Sequence, residues 1–220
     1  MKKLIFLVLL FNISAPGQVK FDIRDAPGVY NARIEVGECD EHRYCTGDAT
    51  FTLFKKGRSA VFQTFKFATE FALWDEDQMP GRLPYKKQGT VLFSDYNFDG
   101  IADLALQNGT ESGYGGSSYN VYLYSPKAKK FVLNRKFSDL ATAPYLGIFS
   151  VDRKRRVLRT DQKSGCCMHE VQEYRVINNR PVMIYQSYED AMDGKYVVTT
   201  TRRLVRGKWI KSVVKEEIKN

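Results

Sequence analysis

The nine residues DYNFDGIAD, positions 95–103, place Asp95, Asn97 and Asp99 at alternate positions, then Gly100, then Asp103. That spacing turns oxygen-bearing side chains into one tight bend. Calcium takes six to eight oxygen ligands at about 2.3–2.6 Å, and carboxylates suit it. Asp95, Asn97 and Asp99 would supply the first oxygens, the carbonyl of Ile101 a further one, and Asp103 would close the shell. Gly100 permits the sharp turn. The first half follows an EF-hand loop, but position 12 is Leu106, where an EF-hand needs a bidentate glutamate. The flanks, TVLFSD and IADLAL, read as strands, so the expectation is a structural calcium loop set in a β-hairpin. A polar hairpin tip held by Asx turns is the plainer alternative. Crowded carboxylates would repel one another without a cation between them.

The segment GTESGYGGSSY, positions 109–119, follows directly. Its glycines allow a protruding backbone, and Tyr114 stands alone among them. Tyrosine offers a large apolar face and one hydroxyl at little entropic cost. Ser112, Gly113, Tyr114, Ser117 and Tyr119 are therefore the candidate partner-binding set, against the bland reading of a flexible loop. No lysine or helix start follows, which excludes a phosphate-cradling loop.

Other chemistry is thinly supported. His169 lies two residues after Cys167, too close for zinc or cysteine–histidine catalysis. Glu189, Asp190 and Asp193 sit at a turn before Gly194, where turn chemistry accounts for them. The basic run DRKRR, 152–156, reads as a solvated hairpin turn rather than a nucleic-acid contact. No catalytic residues are assigned, and the protein is expected not to be an enzyme.

These loops need a scaffold, and the chain supplies strands. YNARIEV, ATFTLF, AVFQTFKF, SYNVYLY, EVQEYRVI, PVMIYQSY, YVVTTTRRLV and KWIKSVVKEEI are rich in β-branched and aromatic residues. Asn178-Asn179, Asp193-Gly194 and Arg206-Gly207 mark turns. About a dozen strands and one short helix, SDLATA with Ser138 as N-cap and Pro144 as stop, give an all-β class. The expectation is a single antiparallel domain, small and propeller-like, with a β-sandwich or barrel as alternatives. MPGRLPYKKQG, 79–89, is the most loop-like stretch; one continuous domain over 18–220 is favoured over a division there.

The N-terminus fixes the expected compartment. Lys2 and Lys3 precede an apolar run from Leu4 to Phe11, and Ala15 and Gly17 stand at −3 and −1 of a cut before Gln18. Residues 1–17 read as a secretory signal peptide. The apolar run rises about 12 Å as a helix, short of a hydrocarbon core of about 30 Å, so no membrane span is expected. The mature chain is expected in the periplasm or secreted. Hydrophobic content of 43% provides for a core, and a formal charge of +9 favours solubility and anionic surroundings. Four cysteines, Cys39, Cys45, Cys166 and Cys167, suit disulfides in an exported chain. Local pairing, cross-pairing and free thiols all remain open on sequence. A 39–45 loop would add about 2 kcal/mol. Adjacent Cα atoms lie about 3.8 Å apart, below the usual disulfide span of about 4.4–6.8 Å, so a bond between Cys166 and Cys167 would be strained and easily reduced.

DYNFDGIADLALQNGTESGYGGSSYNVYLY resembles the calcium-loop segment of secreted FG-GAP-like bacterial proteins. More narrowly, it is similar to the calcium-binding lysozyme-inhibitor immunity proteins of bacteria-killing type IV secretion systems. CDEHRYCTGDATFTLFKKG, LGIFSVDRKRRVL, KSGCCMHEVQEYRV and TTTRRLVRGKW extend the likeness over most of the chain from about Val36. The resemblance implies a small propeller-like β fold and a periplasmic protein that blocks the cleft of a lysozyme-like peptidoglycan hydrolase. Those proteins often carry a lipid anchor, and no cysteine lies near the cut here. A calcium-dependent adhesion or scaffold module is the competing expectation.

Overall fold

The structure is a computed structural model and describes residues 18–41, 44–73 and 81–218. The expected signal peptide, His42 and Trp74 lie outside those residues. Fifteen strands appear among the described residues, and they sort into three sheets, each drawn from one stretch of chain.

The first sheet holds β1 (Val19–Arg24), β2 (Tyr30–Cys39), β3 (Tyr44–Lys55), β4 (Val61–Ala72) and β5 (Gly81–Pro84), in the order β4-β3-β2-β1-β5. Its pairings are antiparallel except β1 with β5. The second holds β6 (Val91–Ser94), β7 (Asp103–Gly109), β8 (Ser118–Ser125) and β9 (Lys130–Leu133) in sequence order. The third is a meander of β10 (Ser150–Asp152), β11 (Val157–Ser164), β12 (Met168–Ile177), β13 (Arg180–Asp190), β14 (Tyr196–Val205) and β15 (Lys208–Glu217). This is an all-β fold of three open sheets. The barrel alternative fails, because among the described residues no sheet closes on itself. Sequence-local sheets are how propeller blades are built.

The second sheet is the hinge of the packing. Strand side chains alternate between faces, and in β7 both faces are covered. Leu104 and Leu106, with Tyr122 and Phe131, join Phe21, Ile34, Phe51, Leu53 and Leu83 of the first sheet in one core. Ala105, with Val121 and Leu123, faces a second core containing Phe137, Phe149, Leu158 and Tyr174. Gln107 ties the first core shut: its backbone oxygen accepts Thr69 Oγ1 at 2.6 Å, and its Nε2 donates to the Glu70 carbonyl at 3.1 Å. Among the described residues the three sheets are joined by these two cores, and the expected loop at 79–89 leads from the first sheet into the second. Its described part forms β5 and the short turn at Tyr85–Lys87.

The helix is displaced from its expected place. It spans α1 (Arg135–Ser138), capped by Asn134, whose Oδ1 accepts the Lys136 and Phe137 amides at 3.1 and 3.4 Å. Asparagine is a strong N-cap, and Phe137 anchors the turn in the second core. Ser138 instead ends the helix and accepts the Val121 amide at 2.9 Å. Both disulfides are local, Cys39–Cys45 and Cys166–Cys167.

Candidate functional site

The loop between β6 and β7 is built by its own acidic and amide side chains. Asp95 accepts the Asp99 amide at 3.0 Å and the Gly100 amide at 2.9 Å. Asp99 Oδ1 accepts the Ile101 amide at 2.8 Å, and Asn97 Nδ2 donates to Asp99 Oδ2 at 2.8 Å. Gly100 adopts φ +89°, the left-handed bend expected of glycine there. Asp103 plays a different part from its neighbours. It is fully buried, and its carboxylate accepts three amides: Tyr96 at 2.9 Å, Asn97 at 3.3 Å and Tyr124 at 2.8 Å. Burial pushes its carboxyl up to about 7, against the pull of those amides. A carboxylate has about four lone-pair positions, so Asp103 keeps one for another donor or an ion.

Among the described residues no three carboxylate, imidazole or thiol groups gather as a ready metal shell. A cation at this loop would draw on the carboxylates of Asp95 and Asp99, the amide oxygen of Asn97, the Ile101 carbonyl and the remaining position on Asp103. All are hard oxygens, which is the donor chemistry of calcium rather than of thiolate-seeking metals.

The third sheet grips this loop from outside, a role the sequence reading did not assign. Arg156 donates to the Phe98 carbonyl at 2.5 Å and lies over the Phe98 ring, 5.5 Å from its centroid. Arg153 donates to Ser94 Oγ at 3.1 Å, and Asn97 Nδ2 donates to Asn179 Oδ1 at 3.0 Å. Arg155 pairs with Glu173 through both nitrogens of its fork. The basic run is thus not merely a solvated turn; three of its guanidinium groups are engaged. Its composition was visible in the sequence, but which neighbours it would meet was not.

The glycine-rich loop is pinned rather than free. The Gly113 amide donates to the Tyr145 carbonyl at 2.6 Å, and Ser112 Oγ bonds both Tyr145 and Gly147. A Cβ on Gly113 would sit 2.9 Å from the Pro144 carbonyl oxygen and 3.0 Å from that of Tyr145. Gly113→Ala is therefore expected to cost about 1–3 kcal/mol and to displace the loop, read as a lowered midpoint in denaturant melts. A midpoint equal to wild type would contradict the packing described.

The five candidate contact residues separate by depth. Ser112 and Tyr119 are buried, and Tyr119 Oη donates to the Gly89 carbonyl at 3.0 Å. Both hold the loop from beneath, which corrects their placement on a contact surface. Ser117 is half-buried and accepts Gln107 Nε2 at 3.1 Å. Tyr114 alone is fully presented, 68% exposed, at φ +57°. Its oxygen accepts the Gly165 amide at 2.7 Å, which ties it to the turn carrying Cys166–Cys167, and the Lys163 ammonium lies 5.9 Å from its ring centroid. A left-handed tyrosine fixed on both flanks is a rigid projection, since non-glycine residues adopt that backbone only under local support.

No family model matches the sequence, and no curated protein matches it. A solved structure does: that of a Xanthomonas type IV secretion system related protein, with a TM-score of 0.64 and 23% identity, over 96% of this chain and 98% of that one. The two chains share a fold. At this identity the likeness is one of architecture.

The remaining candidates are settled by their surroundings. Cys166 and Cys167 are bonded to each other, so neither offers His169 a thiolate partner. Asp193 accepts the Lys195 and Tyr196 amides at 2.8 and 2.7 Å, and Asp190 accepts the Met192 amide at 2.9 Å, as turn residues do. Trp209 lies on the sheet surface beneath the Arg202 guanidinium.

Proposed function

We propose that this protein is an extracytoplasmic, calcium-stabilised inhibitor of a lysozyme-like peptidoglycan hydrolase, an immunity protein associated with bacteria-killing type IV secretion. The observation that carries the reading is Tyr114, exposed and held in a fixed pose above a loop whose base is buried. The shared fold with a type IV secretion related protein supports the setting. Two disulfides fit an oxidising compartment.

The mechanism follows from the atoms of the loop. Tyr114 Oη already accepts the Gly165 amide, so its proton is free to be donated outward. A hydrolase cleft offers carboxylates as acceptors, and a hydrogen bond to a charged group contributes about 1.5–3 kcal/mol. Placing the ring in the cleft displaces substrate by occupancy, and no bond is made or broken in the target. The protein itself acts by binding and is not an enzyme. Calcium, when bound, would supply the charge that lets Asp95 and Asp99 share one turn. Arg156 and Asn179 would pass that rigidity to the third sheet.

Co-elution with a lysozyme-like hydrolase on size exclusion tests the partner assignment; a complex is expected, and separate peaks at micromolar concentrations would overturn it. Calcium at tenfold excess over its dissociation constant adds about 1.4 kcal/mol. Chelation should therefore lower the melting temperature by about 3–5 °C in a chain of this size. A melt unmoved by chelator would show that the fold does not use the ion.

A further inference from the structure

At the far end of the third sheet, a groove of about 570 Å³ is lined by Arg155, Arg175, Arg203 and Arg206 and by a single carboxylate, Glu173. Arg155 neutralises Glu173 in a two-pronged ion pair. Three guanidinium groups are left over. Arg203 lies over the Tyr185 ring, 5.2 Å from its centroid, which fixes its plane. Among the described residues, Arg175 and Arg206 have neither an ion-pair nor a hydrogen-bond partner. Val157, Ile184 and Leu204 complete the lining with apolar surface, which weakens screening by water.

Like charges gathered beside apolar side chains repel, and the arrangement is stabilised when an anion enters. We infer that this groove binds a phosphomonoester group. Arginine forks match phosphate oxygens in pairs. A phosphomonoester brings about −1.5 to −2 charge and three terminal oxygens, which answers three free forks better than the single charge of one carboxylate. The phosphate could be carried by a lipid headgroup or by a phosphorylated sugar. The position permits simultaneous work at both ends of the molecule. Arg155 precedes Val157, where β11 begins, whereas Gly165, the partner of Tyr114, follows its last residue, Ser164. Eight strand residues separate the two by roughly 25 Å, so a ligand in the groove leaves Tyr114 uncovered.

The test titrates the full chain, in phosphate-free buffer, with glucose 1-phosphate and separately with phosphatidylcholine vesicles containing phosphatidic acid, with a polyglutamate peptide as the comparison titrant. Saturable binding in either arm is expected, and the arm that responds names the carrier. The Arg175→Ala/Arg206→Ala double variant should weaken binding by at least about tenfold, with the near-ultraviolet dichroism of wild type. A Lys66→Ala/Lys130→Ala control, which removes two exposed charges elsewhere, should leave affinity within about twofold. Equal weakening by both pairs would reduce the effect to diffuse charge and overturn the site. So would an absence of saturation in both arms, or binding only to a polyglutamate peptide, which would assign the groove to an acidic protein instead.

Discussion

Asp103→Ala is expected to cost about 3–5 kcal/mol of folding stability. The side chain is fully buried at the start of β7, where the two cores meet. Alanine would leave the amides of Tyr96, Asn97 and Tyr124 facing inward with no acceptor. Each orphaned donor costs about 1–3 kcal/mol. Part of that is recovered, because a buried carboxylate is itself expensive to desolvate, as its raised pKa attests. Three donors outweigh one acceptor, so the balance remains strongly destabilising. Asp103→Asn keeps one oxygen for two of the amides and sets an N–H against the third, so its loss should be about half. Denaturant melts measure both. An alanine variant as stable as wild type would show that these amides have found other acceptors and that Asp103 does not brace the hairpin.

Tyr114→Ala should do the opposite: keep the fold and lose the activity. Its ring is exposed, and its one hydrogen bond reaches an exposed amide, so stability should fall by no more than about 1 kcal/mol. A tyrosine at the centre of an interface commonly contributes 2 kcal/mol or more, about 30-fold in affinity. Inhibition of the hydrolase should weaken by at least that factor. Tyr114→Phe separates ring from hydroxyl: it should retain the steric block yet lose roughly tenfold if a cleft carboxylate accepts the proton. Equal potency of the alanine variant would remove Tyr114 from the mechanism.

Much of this was legible because it is local. Alternation marked most strands, and Asn178-Asn179 and Arg206-Gly207, all at positive φ, turn the hairpins where their types require. The bend at 95–101 was legible for the same reason: the carboxylates of Asp95 and Asp99 accept amides no more than five residues away. What escaped is non-local. β5 carries one buried leucine and a proline, and its parallel partner β1 lies some sixty residues away. Nothing in GRLP signals that pairing. The burial of Ser112 and Tyr119 depends on the 144–147 segment and on Gly89, so a polar Gly-Ser run read as surface. The grip of Arg156 and Asn179 on the loop likewise joins residues some sixty to eighty positions apart. The helix start was missed because Asn134 closes a strand-like run and only its side chain shows it to be a cap.

The direct test of the central claim is the rate at which a lysozyme-like hydrolase clears a suspension of purified cell walls while wild-type protein is added in millimolar calcium. Clearing should fall in proportion to the protein added and stop near one molecule per enzyme. Undiminished clearing at a large excess of folded protein would contradict the claim that a stiff, outward-facing tyrosine plugs such a cleft.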